Sequence, residues 1–287
     1  MKGWIIGGIS CVAGALGYLC WQKRELKRFD TTNYRIRTDK VQGEHRLAVL
    51  ADLHGFTYGN GNWRLLARVR RLRPELILIA GDMIVSRDTE TYSSALETLR
   101  SLCAIAPVYY GMGNHESRAA SRPLVAEAFR QYRQEAEELG VTFLDNRSCR
   151  IRLGEDSVTL SGLELELDYY ERGRVKAMEE GHVAELVGPA RTGELQLLLA
   201  HNPFYGEEYA AWGADVAFCG HNHGGLVRIP GIGGLVSPQL RPFPKYGEGL
   251  HRIRGKYVIT SRGLGTHTFH VRICNRAELL AVTIEPT

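Results

Sequence analysis

The sequence predicts an α/β fold in which strands alternate with helices, and three observations carry that reading. Short apolar runs recur at Leu47 to Ala51, Leu76 to Ala80, Pro107 to Tyr110, Leu195 to Ala200 and Val216 to Cys219, each bounded and rich in aliphatic or aromatic residues. Helix-like stretches separate the early runs, and between Val141 and Leu165 the pattern shifts to short strands joined by turn residues. Each apolar run closes on a polar cluster: Asp52-Leu53-His54, Gly81-Asp82, Gly113-Asn114-His115-Glu116, His201-Asn202 and Gly220-His221-Asn222-His223. In an open α/β sheet the carboxyl ends of neighbouring strands face one crevice, so these clusters are expected to meet.

Taken in order, the elements begin with an apolar N-terminus. Gly3 to Trp21 contains no charged residue; about nineteen positions, or roughly 28 Å as a helix, approach the hydrocarbon thickness of a bilayer. Trp4 at one end and Tyr18 with Trp21 at the other resemble interfacial anchors, and Lys23, Arg24, Lys27 and Arg28 outweigh Lys2. A single membrane-spanning helix with the following domain in the cytoplasm is therefore expected. A cleaved signal peptide is the competing reading, although Ala13-Gly14-Ala15 falls early for a cleavage site. Residues 1–45 read as anchor and basic linker, and 46–287 as the main domain.

Strand-like Arg46 to Ala51 comes next, then a helix at Trp63 to Leu72 with Asn62 as N-cap and Pro74 beyond its end. Helices are expected at Ser93 to Cys103 and at Arg122 to Leu139, the latter with Pro123 in its first turn. The inserted strands are Val141 to Leu144, Cys149 to Leu153 and Ser157 to Leu163, and a further helix fits Tyr169 to Leu186. From Gly224 to Gly249 the chain is dense in Gly and Pro and reads as a long ordered loop starting at the last polar cluster. Loops so placed often select substrate, which makes Arg228, Arg241 and Lys245 candidate substrate-binding residues.

Composition sets the outer limits. At 287 residues and 44% hydrophobic content, the chain can bury one substantial core. A formal charge of +4 is too small an excess to imply nucleic acid, and no such partner is expected. Six cysteines, at 11, 20, 103, 149, 219 and 274, show no C-x-x-C pairing, which argues against a disulfide scaffold.

The ordered clusters closely resemble the calcineurin-like metallophosphoesterases, whose signature reads D-x-H, G-D, G-N-H-[DE], H and G-H-x-H over roughly Leu47 to Gly225 here. That resemblance implies a four-layer α-β-β-α sandwich of two mixed sheets. It also implies two divalent metals, one held by Asp52, His54, Asp82 and His223, the other by Asp82, Asn114, His201 and His221, with Asp82 bridging. His115 falls on the family's histidine that meets the leaving group. Many relatives read G-D-x-x-D, and Val85 stands at the last position in this chain.

The chemistry gives each residue type its own reason. Two carboxylates, an amide and four imidazoles, with no thiolate, suit a pair of first-row divalent ions. Two such ions about 3.5 to 4 Å apart can hold a bridging hydroxide and clamp phosphoryl oxygens for in-line attack. The bridge should be a carboxylate, and Asp82 fits. Imidazoles favour Mn, Fe or Zn over Mg, with Mn expected first. His115 could protonate the departing alkoxide, with Glu116 as its orienting partner. His45, His182, His251, His267 and His270 lack a motif and read as surface or packing residues, His267 being the one to watch.

The expected activity is therefore hydrolysis of a phosphodiester or a lipid-linked diphosphate at the membrane, similar to UDP-2,3-diacylglucosamine pyrophosphatases. A soluble or cyclic-nucleotide phosphodiesterase is the second reading. From another class, a non-catalytic metal-binding scaffold would have no need of the complete ligand set or of His115.

Overall fold

The computed structural model describes residues 17–18, 21–225, 228–229, 233–237, 239, 242–266 and 270–287. The first half runs β1 (Phe29–Thr38), β2 (His45–Leu50), α1 (Trp63–Leu72), β3 (Leu76–Ala80), α2 (Glu90–Cys103), β4 (Val108–Gly111), α3 (Asn114–Ser121), α4 (Ala126–Glu138) and β5 (Val141–Leu144). The second half runs β6 (Arg147–Leu153), β7 (Asp156–Leu163), α5 (His182–Val187), β8 (Leu195–Ala200), α6 (Gly206–Trp212) and β9 (Val216–Cys219). It then continues through β10 (Arg228–Ile229), β11 (Gly233–Gly234), β12 (Gly249–Ile253), β13 (Lys256–Thr260) and β14 (Ala277–Pro286).

Two six-stranded mixed sheets result, ordered β1-β14-β2-β3-β4-β5 and β12-β13-β9-β8-β7-β6. In the first, β2 through β5 are parallel and β14 runs against β2. In the second, β7, β8, β9 and β13 are parallel, with β6 and β12 antiparallel at the edges.

Successive side chains on a strand point to opposite faces, so a strand buried on both sides must be apolar throughout. That is why the runs are continuous rather than alternating. Leu47, Val49, Leu76 and Leu78 meet Leu195, Leu197, Leu199 and Phe218 between the sheets. Ala48, Leu50, Ile77 and Ile79 face the other way, against Leu65 and Val69 of α1, Leu99 of α2 and Tyr132 of α4. Leu198, Ala200, Ala217 and Cys219 pack on Val183 of α5 and Tyr209 of α6. Three cores thus separate helices, sheet, sheet and helices.

The N-terminus corrects one expectation. No helix among the described residues is long and apolar enough to cross a membrane, which overturns the single-pass localisation with a cytoplasmic domain. Of the expected span, residues 3–16, 19 and 20 lie outside the described residues. Residues 21–26 are helical, and polar contacts tie them to the domain. The buried Gln22 amide donates to the Arg272 carbonyl at 3.2 Å and accepts from its N–H at 3.3 Å, and Arg276 donates to Glu25 at 3.0 Å. The linker also contains sheet: β1 pairs with β14 from Phe29↔Ala277 to Thr38↔Pro286, ahead of the boundary drawn at residue 46.

Two helices differ from expectation. The segment drawn from Arg122 as one helix starts only at Ala126, because Arg122 precedes Pro123 and is extended at φ −94°, ψ 120°. Of Tyr169 to Leu186, a 3-10 turn at Leu167–Tyr170 and α5 are helical; Gly173 and Gly181 adopt left-handed φ of 74° and 87° between them.

His45 joins the two sheets. Its buried ring lies between Glu75 (Nδ1 to Oε2, 3.0 Å) and Asp156 on β7 (Nε2 to Oδ2, 2.7 Å). Burial alone would lower its pKa, but the two carboxylates outweigh that and raise it; Asp156 is lowered against its own burial by His45 and the N–H groups of Gly43 and Gln42. A raised histidine contributes stability that is full below its unfolded pKa of about 6.5 and fades as pH rises through the folded value. A lowered aspartate contributes above about 3.9 and fades as pH falls. His45→Gln should therefore depress Tm more at pH 6 than at pH 8.5. Equal depressions at both pH values in thermal melts would rule out the charged clamp.

Candidate metal centre

All five polar clusters leave carboxyl ends of adjacent strands, three in the first sheet (β2, β3, β4) and two in the second (β8, β9). Backbone bonds hold the loops together beyond the strands: Asp52 N–H to Gly81 O at 3.0 Å, His54 N–H to Asp82 O at 3.0 Å and Gly220 N–H to His201 O at 3.0 Å. Asp52, His54, Asp82, His221 and His223 all adopt left-handed φ, between 49° and 67°. For residues with a Cβ this costs about 1 kcal/mol or more each, so the surroundings must enforce it. Gly113 permits a close approach, since a Cβ there would lie 2.3 Å from Asp82 Oδ1.

The side chains converge on one centre. His201 Nδ1 is held by Ala80 O at 2.7 Å and His54 Nδ1 by Ile84 O at 3.2 Å, which turns both Nε2 atoms toward the centre. Asp82 Oδ1 accepts the His115 N–H at 2.8 Å, leaving Oδ2 between His201 Nε2 (3.1 Å) and His54 Nε2 (3.9 Å). Both oxygens of Asp52 accept from His221 N–H, and Oδ1 lies 3.7 Å from Nε2 of both His201 and His223. Asp52, His54 and His223 form one group able to hold an ion, and Asp82, His201 and His221 another; His54, Asp82 and His115 also fall within reach of one another.

The donor set fits cations. Nε2 of His221 is buried without a hydrogen-bond partner. The Nε2 atoms of His54 and His223 face each other at 3.2 Å, and the Asn114 amide meets His221 Nδ1 at 2.8 Å. A buried ring nitrogen such as His221 Nε2 left unpaired is costly, and a cation among these ligand atoms would offset that cost. Electrostatics agree. Burial raises Asp52 to about 7, whereas His201, His115 and His54 overcome burial and hold Asp82 well below the carboxylate range. His201 is carried up to about 9 by Asp82 and Asp52 against its burial, while burial and the charge of His201 keep His221 well below 6.5. Such a cluster shares protons that bound cations replace.

Residues 45–225 match the calcineurin-like phosphoesterases. The chain belongs to this family. Its members are dinuclear, metal-dependent hydrolases of phosphoesters. This phosphoesterase is 28% identical over 195 residues to the phosphodiesterase YaeI of Escherichia coli K12, across 68% of its own length and 64% of that protein's. It is 23% identical over 300 residues to the uncharacterized metallophosphoesterase YkuE of Bacillus subtilis, spanning 100% of the chain and 96% of that protein. Among solved structures it is similar to the phosphopantetheinyl hydrolase PptH of Mycobacterium tuberculosis, with a TM-score of 0.49 at 13% identity over 77% of this chain and 89% of that one. Neither YaeI nor YkuE is named for UDP-2,3-diacylglucosamine, and that narrower expectation gains no support from them.

The phosphoesterase uses Glu116 differently from the expected orienting partner of His115. Its buried carboxylate accepts from Asp82 N–H (2.9 Å), Met83 N–H (2.9 Å), Gly113 N–H (3.1 Å) and Tyr110 hydroxyl (2.6 Å), latching the Asp82 loop to α3. Burial, then the charge of Asp82, raises its pKa to about 7. His115 is oriented instead by Ser86, whose N–H donates to Nδ1 at 3.0 Å. No sequence pattern marked Ser86.

Late-chain supports were also missed. Asn275 donates to His223 O and Gly225 O, both at 2.6 Å, and the buried Arg272 donates to Gly263 O (3.1 Å) and Gly265 O (2.8 Å). Gly265 N–H in turn bonds Asp52 O at 2.6 Å. His267, beyond this run, lies outside the described residues, as does Arg241. Arg228 is paired with Glu248 at 2.5 Å and Lys245 with Glu207 at 3.2 Å. Val85, at the position where many relatives carry a carboxylate, bonds through its backbone alone, its N–H to Thr91 and its carbonyl to the Asp88 N–H.

Proposed function

We propose that this chain hydrolyses phosphodiesters at a centre of two divalent cations, Mn²⁺ first among them, with Fe and Zn as alternatives. One ion would be held by Asp52, His54, Asp82 and His223, and the other by Asp82, Asn114, His201 and His221. The observation that carries this reading is Asp82 Oδ2, set between His54 from one group and His201 from the other. Bound cations supply Lewis-acid polarisation of the phosphoryl group and a water nucleophile at neutral pH.

The chain's own residues do the rest. Ser86 N–H occupies Nδ1 of His115, so the neutral ring carries its proton on Nε2, the tautomer that can donate to a departing alkoxide. Glu116 fixes the Asp82 loop, and Asp82 Oδ1 holds the N-terminal turn of α3. The lipid-linked diphosphate expected from the sequence rested on a spanning helix, which the described residues do not contain, whereas the similarity to a phosphodiesterase supports the diester reading.

Purified protein loaded with Mn, Fe or Zn in turn, and assayed on bis(p-nitrophenyl) phosphate, a cyclic nucleotide and a lipid-linked diphosphate, tests this. Turnover of the aryl diester with Mn that is lost on chelation is expected. Absence of turnover on every ester with every metal would reject the reading in favour of a scaffold.

A further inference from the structure

Beside the metal-ligand cluster stand two arginines that form no direct ion pair among the described residues. Arg118 lies four residues after Asn114 on α3, hence on the same helical face, and its Nη1 is 2.6 Å from the Asn114 amide. Arg122 follows after one further turn and donates from Nη1 to Ser86 Oγ at 3.3 Å. Ser86 is the residue whose N–H orients His115. The pair therefore flanks the leaving-group histidine. Among the described residues no carboxylate forms an ion pair with either, whereas Arg133, Arg228 and Arg262 each have one. Arg118 is half-buried, and burial with the charges of Arg122 and Arg172 lowers its pKa although the nearby Asp82 carboxylate opposes them.

Gathering like charges at a partly desolvated site is unfavourable unless an anion joins them. The negative charge of the scissile phosphoryl group already meets the cations. The guanidiniums are left for a second anionic group, and planar forks suit phosphate oxygens. We propose that Arg118 and Arg122 form a subsite for a phosphate carried on the leaving portion of the substrate, so that the preferred substrates are phosphodiesters bearing a second, terminal phosphate. This rests on the diesterase reading above and names its substrate class.

Matched dinucleotides test it. Thymidylyl-thymidine has one diester phosphate; its 5′-phosphorylated and 3′-phosphorylated forms add a terminal phosphate at either end, and so cover either leaving alcohol. The Mn-loaded protein should show kcat/KM at least about 10-fold higher for one phosphorylated form than for the parent. Arg118→Met and Arg122→Met should each cut kcat/KM on that form about 10-fold or more, with a several-fold smaller loss on the parent. Arg118→Lys, which keeps the charge, should recover part of the loss. Calorimetric binding of thymidine 3′,5′-bisphosphate to the Mn-loaded protein should weaken by about 10-fold in the same variants. No preference for either phosphorylated form would overturn the subsite. Equal losses on parent and phosphorylated dinucleotides would also overturn it, assigning the arginines to the scissile phosphoryl. If no diester is cleaved at all, the failure falls on the proposed function, and the bisphosphate titration alone then decides the subsite.

Discussion

Asp82→Ala should empty both metal positions and abolish turnover. Asp82 is buried, and its two oxygens do different work. Oδ2 faces one histidine from each ligand group, while Oδ1 accepts the N–H of His115 and so anchors the start of α3. Truncation removes the proposed shared ligand and orphans the buried His115 N–H at once. Loss of a mere supporting partner typically costs a metal site 10- to 100-fold in affinity or activity, so losing the shared ligand should exceed on the order of 10³-fold. Metal analysis of the dialysed protein, with hydrolysis of bis(p-nitrophenyl) phosphate, reads both effects. Asp39→Ala, at an exposed position, should change neither. An active Asp82→Ala protein with its full metal content would end the dinuclear proposal.

His115→Ala should separate metal binding from proton transfer. The side chain is held by Ser86 from the Nδ1 side, and the variant should keep its metals because the other ligand atoms remain. Activity on esters with poorly acidic alcohols should fall by on the order of 10²-fold or more, the usual contribution of a positioned general acid. Aryl esters, whose leaving group departs without a proton, should lose much less. A series of diesters graded by leaving-group pKa makes the comparison. Equal losses across the series would leave His115 as a positioning residue.

The candidate centre was legible in the sequence because each cluster follows a strand buried on both faces. Val49, Ile77 and Leu197 make their runs continuously apolar, and the polar residues that interrupt them fall at strand ends by necessity. What the sequence hid depends on contacts far apart in the chain. Glu116 neighbours His115 in sequence, yet its carboxylate serves Asp82, Met83 and Gly113, because α3 directs it back under the β3 loop. Arg272 and Asn275 brace the Asp52 and His223 loops from nearly the end of the chain, and no local pattern announces them. Phe29 to Thr38 looked like linker because alternating polar residues suit an edge strand as well as a tether, and its pairing with β14 is decided more than 240 residues away. Gln22 and Glu25 show the described end of the N-terminal segment docked on the domain by polar contacts.

The most direct test is anomalous diffraction from crystals of the wild-type protein grown with Mn²⁺. The account predicts two peaks about 3.5 to 4 Å apart on either side of Asp82, one nearest His54 and His223, the other nearest His201 and His221. A single peak, or peaks that Asp82 does not touch, would contradict it.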